Sequence, residues 1–365
     1  MEQRWAPYNE QRLNHLLWAV SKLGAPRVFL QVLVLIFYTE GLFNLDEEFH
    51  WLEFYAGTAN CTAAMRRAGF TCGKFDILYC PKQKQGSRKT NWHDMMTPSG
   101  FALALVFLLK AKVGDCISWL AIECSSFTAV NRGTSKRSAS NSVGDTSAPS
   151  VLLSNGMLER TILLLMVCAA NCGVWILEQP GNSVLEFYPA FIHFIKCHYD
   201  YFGNCAVHRV GWWMSMFGAA TPKRQYAWSN SRAIRKLDVG WKRMKAKVKT
   251  CEHYYNKAGK KCWKGTRFLK QTQEYPVPFA NNIAQLRGEL VSSRPFDPLP
   301  PMRLPTGPEI LDATPNDQQG LFATADLPAV YTYLRRRKGL KLPPHWQPYM
   351  PHELPETIPF LEQEF

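Results

Sequence analysis

The sequence predicts an α/β fold, a doubly wound sheet with a helical N-terminal extension and a proline-rich C-terminal tail. Three observations predict it. From Trp51 onward, short apolar runs alternate with longer helical ones, the signature of βαβ units and a parallel sheet. A small-residue turn, Ala56-Gly57-Thr58-Ala59-Asn60, joins the first of these runs to a helix, as in sheets that hold nucleotides. Asp76 closes the second run, 19 positions after Gly57, near the ~20-residue offset at which an acid reaches ribose hydroxyls.

Taken in order, residues 1–48 form a helical extension in which Leu13, Leu16, Leu17 and Val20 share one face. The apolar run from Val28 to Tyr38 covers eleven residues, whereas a membrane-spanning helix needs ~20. It is read as a buried helix or strand, and no membrane role is expected. Residues 49–292 form the main domain, with strands expected at 51–56, 73–77, 116–123, 173–178 and 225–229. Helices are expected at 59–69, 99–112, 154–171 and 185–196. Fourteen of the 24 prolines fall in the last 71 residues. Residues 293–365 are therefore expected to be extended and partly disordered, with at most a short helix around Tyr331 to Arg337.

Charge is concentrated in one place. The chain carries a formal +14, and the stretch from Lys223 to Lys270 holds sixteen Lys or Arg against Asp238 and Glu252. The remainder is about neutral, so this one segment is the footprint expected where a polyanion docks. Trp241, Lys242, Arg243, Lys260, Lys261 and Trp263 combine phosphate-neutralising cations with rings that stack on bases. The plainer alternative is a solvated Lys-rich hairpin around Asn256 to Lys260. Eleven scattered cysteines, an odd count without Cys-x-x-Cys pairs, fit a reducing intracellular compartment, nuclear in a eukaryote. Cys197, His198, Cys205, His208, Cys251, His253 and Cys262 have no tight zinc spacing, and no metal is expected.

Several segments carry a family resemblance. Glu53-Phe54-Tyr55-Ala56-Gly57 resembles the first motif, Asp-Leu-Phe-Ala-Gly, of the DNA (cytosine-5)-methyltransferases, with Ala59 and Asn60 standing where that family has two further glycines. Glu123-Cys124-Ser125-Ser126-Phe127-Thr128 resembles its nucleophile motif, Pro-Cys-Gln-Pro-Phe-Ser, and is followed by a Ser-rich loop reaching Ser150. Glu178-Gln179-Pro180 stands where the family has Glu-Asn-Val. Phe217 to Tyr226 resembles Tyr-Gly-x-Pro-Gln-x-Arg-x-Arg, and Tyr275 to Ala284 the last motif, a turn and helix returning to the cofactor pocket. The segments keep the family's order over 232 of the 365 residues.

The resemblance implies a Rossmann-like fold binding S-adenosylmethionine (SAM). Glu53, Tyr55, Ala56 and Gly57 would line the cofactor, Tyr55 against the adenine, with Asp76 on the ribose and Asp94 at the adenine amino group. It implies Cys124 as the nucleophile that adds to carbon 6 of cytosine, Glu178 as the acid at the ring nitrogen, and Arg224, with Lys223 as the alternative one position earlier, at the target base. The residues near 223–272 occupy the slot of a target-recognition region, which is short here. DNA, or RNA, is the expected partner, also contacted by Arg132, Lys136, Arg137 and Lys223. Glu123 and Ser125 replace the flanking Pro and Gln of the nucleophile motif. Two rivals therefore accompany this expectation: a nucleic-acid-binding module without catalysis, and a SAM-dependent enzyme with another acceptor.

Overall fold

The computed structural model describes residues 10–39, 45–80, 92–128, 131–242, 248–298, 301–315 and 317–354. In chain order its elements are α1 (Glu10–Lys22), α2 (Arg27–Phe37), β1 (Trp51–Phe54), α3 (Asn60–Arg67), β2 (Cys72–Phe75), α4 (Pro98–Leu109), β3 (Ile117–Leu120), α5 (Arg132–Ser135), α6 (Pro149–Ala170), β4 (Val174–Pro180), α7 (Pro189–Phe202), β5 (His208–Trp213), β6 (Arg224–Ser229), β7 (Cys251–Tyr255), β8 (Lys261–Gly265), α8 (Arg267–Gln271), α9 (Val277–Ser292), α10 (Gly307–Ala313) and α11 (Leu327–Arg335).

Six strands make one mixed sheet in the order β2-β1-β3-β4-β6-β5. β1 through β4 pair in parallel, while β6 runs antiparallel to both β4 and β5. The sequence predicts a parallel sheet and omits β5, whose Arg209 and Gly211 break up an apolar run; its inward side chains are His208, Val210 and Trp212. Strand periodicity sorts the sheet into two faces. Trp51, Ile117, Trp119, Val174 and Ile176 join one buried cluster with residues of α3 and α9. Leu52, Phe54, Leu120, Trp175 and Leu177 join another with α1, α2, α4, α6 and α7. Helices on both faces make this an α/β fold compatible with a Rossmann-like sheet. From β1 the chain steps outward to β2 on one side and to β3 on the other. The crevice at their carboxyl ends is thus a topological switch point, where open α/β sheets bind ligands.

The Val28 to Tyr38 run is helix α2, fully interior over Phe29, Leu30 and Val32 through Ile36 apart from Gln31. The tail differs from the extended segment expected. Residues 307–315 and 317–350 fold back as α10, α11 and a closing 3-10 turn at Pro344–Tyr349, packed on α1 and α2. The prolines account for the difference, because Pro308, Pro328 and Pro344 sit in first helical turns, where a missing N–H costs nothing. Leu327, Val330, Tyr331 and Leu334 then bury one stripe of α11. Polar ties lock the tail down. Glu159 accepts from Ala325 N at 2.8 Å, and Arg160 donates to the carbonyls of Ala325 at 2.6 Å and Met95 at 2.7 Å. Trp346, fully buried, donates to the Tyr38 hydroxyl at 3.1 Å. Among the described residues one helix, α6, is long and apolar enough to cross a membrane, and most of it lies buried in this core.

Candidate functional site

The turn after β1 has the backbone that a glycine-rich loop would have. Tyr55, Gly57 and Ala59 all take positive φ, at 58°, 52° and 55°. For Ala59 that left-handed conformation costs about 1–2 kcal/mol, and it occurs where the resembled motif has glycine. Gly57 donates its N–H to Asp76 Oδ2 at 2.8 Å, and Asp76 Oδ1 accepts from Leu78 N at 2.8 Å. Asp76 therefore clamps the ends of β1 and β2 together while each oxygen keeps a lone pair. A side chain on Gly57 would meet open space, so the loop leaves room beside its backbone.

Glu53, 1% exposed, accepts from Thr62 N and Oγ1 through Oε2, whereas Oε1 has no partner among the described residues. Burial pushes its carboxyl up to about 7. Tyr55 points to the opposite face, where its hydroxyl hydrogen-bonds Thr161 at 2.7 Å. Asp94 receives Met96 N on Oδ1 at 2.9 Å. Gly100 permits this turn, since a Cβ there would lie 1.9 Å from the Asp94 carbonyl oxygen.

Beyond β3, the chain brings Cys124 to the neighbourhood of Glu178. Burial drives the Cys124 thiol up to about 11; the Lys223 ammonium pulls it down and the Glu178 carboxylate pushes it further up. Glu178 extends from β4 on the same face as Ile176 and is 6% exposed. Its carboxyl is raised by burial, with Lys223 and a hydrogen bond from Tyr275 acting the other way. Tyr275 donates to Oε2 at 2.9 Å, and Oε1 has no partner among the described residues. Glu53 and Glu178 share this face, as both carboxylates act on the buried Cys61. A thiol, a carboxyl and an ammonium thus act on one another electrostatically, and the ammonium of Lys223 shares a cleft with Asn60 of the β1 turn.

The cation in that group is Lys223, not Arg224. Lys223 is half-buried and donates to Thr272 O at 3.0 Å. Arg224 begins β6 with its guanidinium over the rings of Tyr226, at 4.9 Å, and Trp213, at 5.7 Å. Alternation along β6 sends it to the face opposite Ala227, which is paired with Glu178. Arg137 also departs from the expectation of a nucleic-acid contact. It is 2% exposed, lies 4.0 Å from the Phe127 ring centre and donates to Ser126, Asn155 and the carbonyls of Ser142, Val143 and Val151. Its guanidinium organises the loop after Cys124 and is closed to phosphate. Arg132 and Lys136 of that loop are exposed.

The basic segment includes the hairpin β7–β8, whose turn is capped by Asn256 Oδ1 accepting from Ala258 N and Lys260 N. Every residue of β7 is exposed, as are Lys260, Lys261, Lys242 and Trp241. Trp263 pairs with His253 in the register, and Arg243 lies outside the described residues. A cleft of about 310 Å³ opens between Asn60, Lys223, Thr272 and Tyr275, joining the β1 turn to this segment. Among the described residues no three metal-ligating side chains gather. His198 is buried and accepts from Trp175 Nε1 at 3.2 Å.

Tyr275 and Asn60 belong to the site although their chemistry was not read from the sequence. No local pattern signals a tyrosine that meets a carboxyl 97 residues away. Compared with known proteins, the chain matches no protein-family model and no curated protein.

Proposed function

We propose that this chain is a SAM-dependent methyltransferase that acts on carbon 5 of cytosine in DNA through a covalent Cys124 intermediate. The observation that carries the reading is that the charges of Glu178 and Lys223 both act on Cys124, while Lys223 lines one cleft with Asn60 and with Tyr275, the hydrogen-bond partner of Glu178. The residues of the β1 turn fit the cofactor: open space at Gly57, an unpartnered Glu53 oxygen, and lone pairs on Asp76 for ribose hydroxyls. SAM, when bound, supplies an electrophilic methyl group.

The chain's own residues do the rest. Cys124, as thiolate, forms a bond to carbon 6 of a flipped-out cytosine and sends the ring electrons toward carbon 5. Glu178, raised by burial, holds a proton at the ring nitrogen, which offsets the charge that develops there. Lys223 stabilises the thiolate. After methylation, loss of the carbon 5 proton to a base restores the ring and expels the sulfur. The exposed cations and rings, among them Trp241, Lys242, Tyr254, Tyr255, Lys260 and Lys261, hold the strand.

A thiol near 11 is almost wholly protonated at neutral pH, which favours as second reading a nucleic-acid-binding module that keeps the fold without the chemistry. Tritium-labelled SAM offered with DNA, RNA or protein decides between them. The proposal expects label in cytosine of DNA, lost in Cys124→Ser. Cofactor binding with no transfer to any acceptor would select the module, and label in RNA or protein a different acceptor.

A further inference from the structure

We infer that Tyr275 is a positioning residue that joins the cofactor turn to the catalytic carboxyl and leaves one oxygen of Glu178 free to face the substrate. This rests on the function proposed above. Tyr275 is held at both ends. Its backbone carbonyl accepts from Asn60 Nδ2 at 2.7 Å, and its hydroxyl accepts from Trp119 Nε1 at 3.0 Å while donating to Glu178 Oε2 at 2.9 Å. The ring is wedged edge-on to Trp119, with centroids 5.7 Å apart, and against Phe279, at 5.1 Å. Because Trp119 has only a donor to offer, the Tyr275 proton is directed at Glu178. The bond fixes the carboxyl's rotation, so Oε1, buried and without a partner among the described residues, is the oxygen presented.

Asn60 gives this linkage its second half. It opens α3 directly after the left-handed Ala59, so its side chain is set by the conformation of the turn that faces the cofactor. A glycine there would supply no such bond. The turn is thereby tied to Glu178 through a single residue, Tyr275.

The test reads Glu178 without requiring methyl transfer. Alkylation of Cys124, followed by peptide mass spectrometry across pH, shows a step where Glu178 ionises, because that charge acts on the thiol. Glu178→Gln abolishes the step and so identifies it. Tyr275→Phe keeps the ring but removes the donor to the charged form, so the step lies about one pH unit higher. Fluorotyrosine in place of Tyr275 donates more strongly and moves the step lower, which keeps the test open should the Phe variant misfold. A step that stays fixed in both Tyr275 variants overturns the inference. A step that moves in an enzyme that transfers no methyl refutes the proposed function alone.

Discussion

Replacing Lys223 by Met removes the cation that, among the described residues, acts on the Cys124 thiol. An opposite charge within ~4–6 Å shifts a titrating group by about 1–3 pH units. Lys223 is half-buried and committed to the Thr272 carbonyl. Its loss therefore shifts the thiol by about one pH unit, the lower end of that range. The thiol already stands near 11 because of its burial. Lys223→Met raises it further, and below that pH the thiolate fraction falls about tenfold. Glu178→Gln removes the opposing charge and moves the thiol the other way, so its thiolate fraction grows. The assay is the rate of iodoacetamide modification at Cys124 as a function of pH, quantified on its own peptide because the chain holds eleven free thiols. An unchanged profile in Lys223→Met, or an upward shift in Glu178→Gln, would refute the claim that these three side chains share one site.

Other expected outcomes follow from the same geometry. Arg137→Ala lowers stability by about 3 kcal/mol in chemical denaturation, through the acceptors it leaves unpaired, without changing the salt dependence of DNA binding. Lys260→Ala combined with Lys261→Ala does the reverse, leaving the unfolding midpoint alone and reducing the slope of log affinity against log salt by about 2. Trp346→Ala costs about 3–5 kcal/mol, seen as a lower melting temperature; a tail that merely trailed from the domain would give no change. Burial raises the Glu159 carboxyl from 4.5 to about 7. The folded chain then keeps a proton that the unfolded chain releases, and stability falls as pH rises through that window. In Glu159→Gln this part of the pH dependence disappears from denaturation curves, leaving the contributions of Glu53 and Glu178, which have the same sign.

The parts of the fold that local pattern controls were legible. β1 and its turn are readable because an apolar run ends in small residues, and α1 because Leu13, Leu16, Leu17 and Val20 recur at helical spacing. What depends on distant partners was not. Arg137 stands in a Ser-rich, outwardly polar stretch, and only the fold reveals that five acceptors close around it. The tail's prolines look like helix breakers until their positions in first turns are known. Lys223 and Arg224 are adjacent and chemically alike, and strand alternation alone sends one toward Cys124 and the other onto Tyr226 and Trp213. The antiparallel place of β6 in the sheet rests on pairing with β4, which no single segment encodes.

The most direct measurement of the central claim is covalent trapping on DNA that carries 5-fluorocytosine, whose fluorine blocks the final elimination. Incubated with SAM and this DNA, the protein is expected to form a denaturation-resistant adduct through Cys124. Cys124→Ser abolishes the adduct, and Glu178→Gln slows its formation while DNA affinity holds. SAM and DNA binding with no adduct, or an adduct that survives Cys124→Ser, would contradict the account.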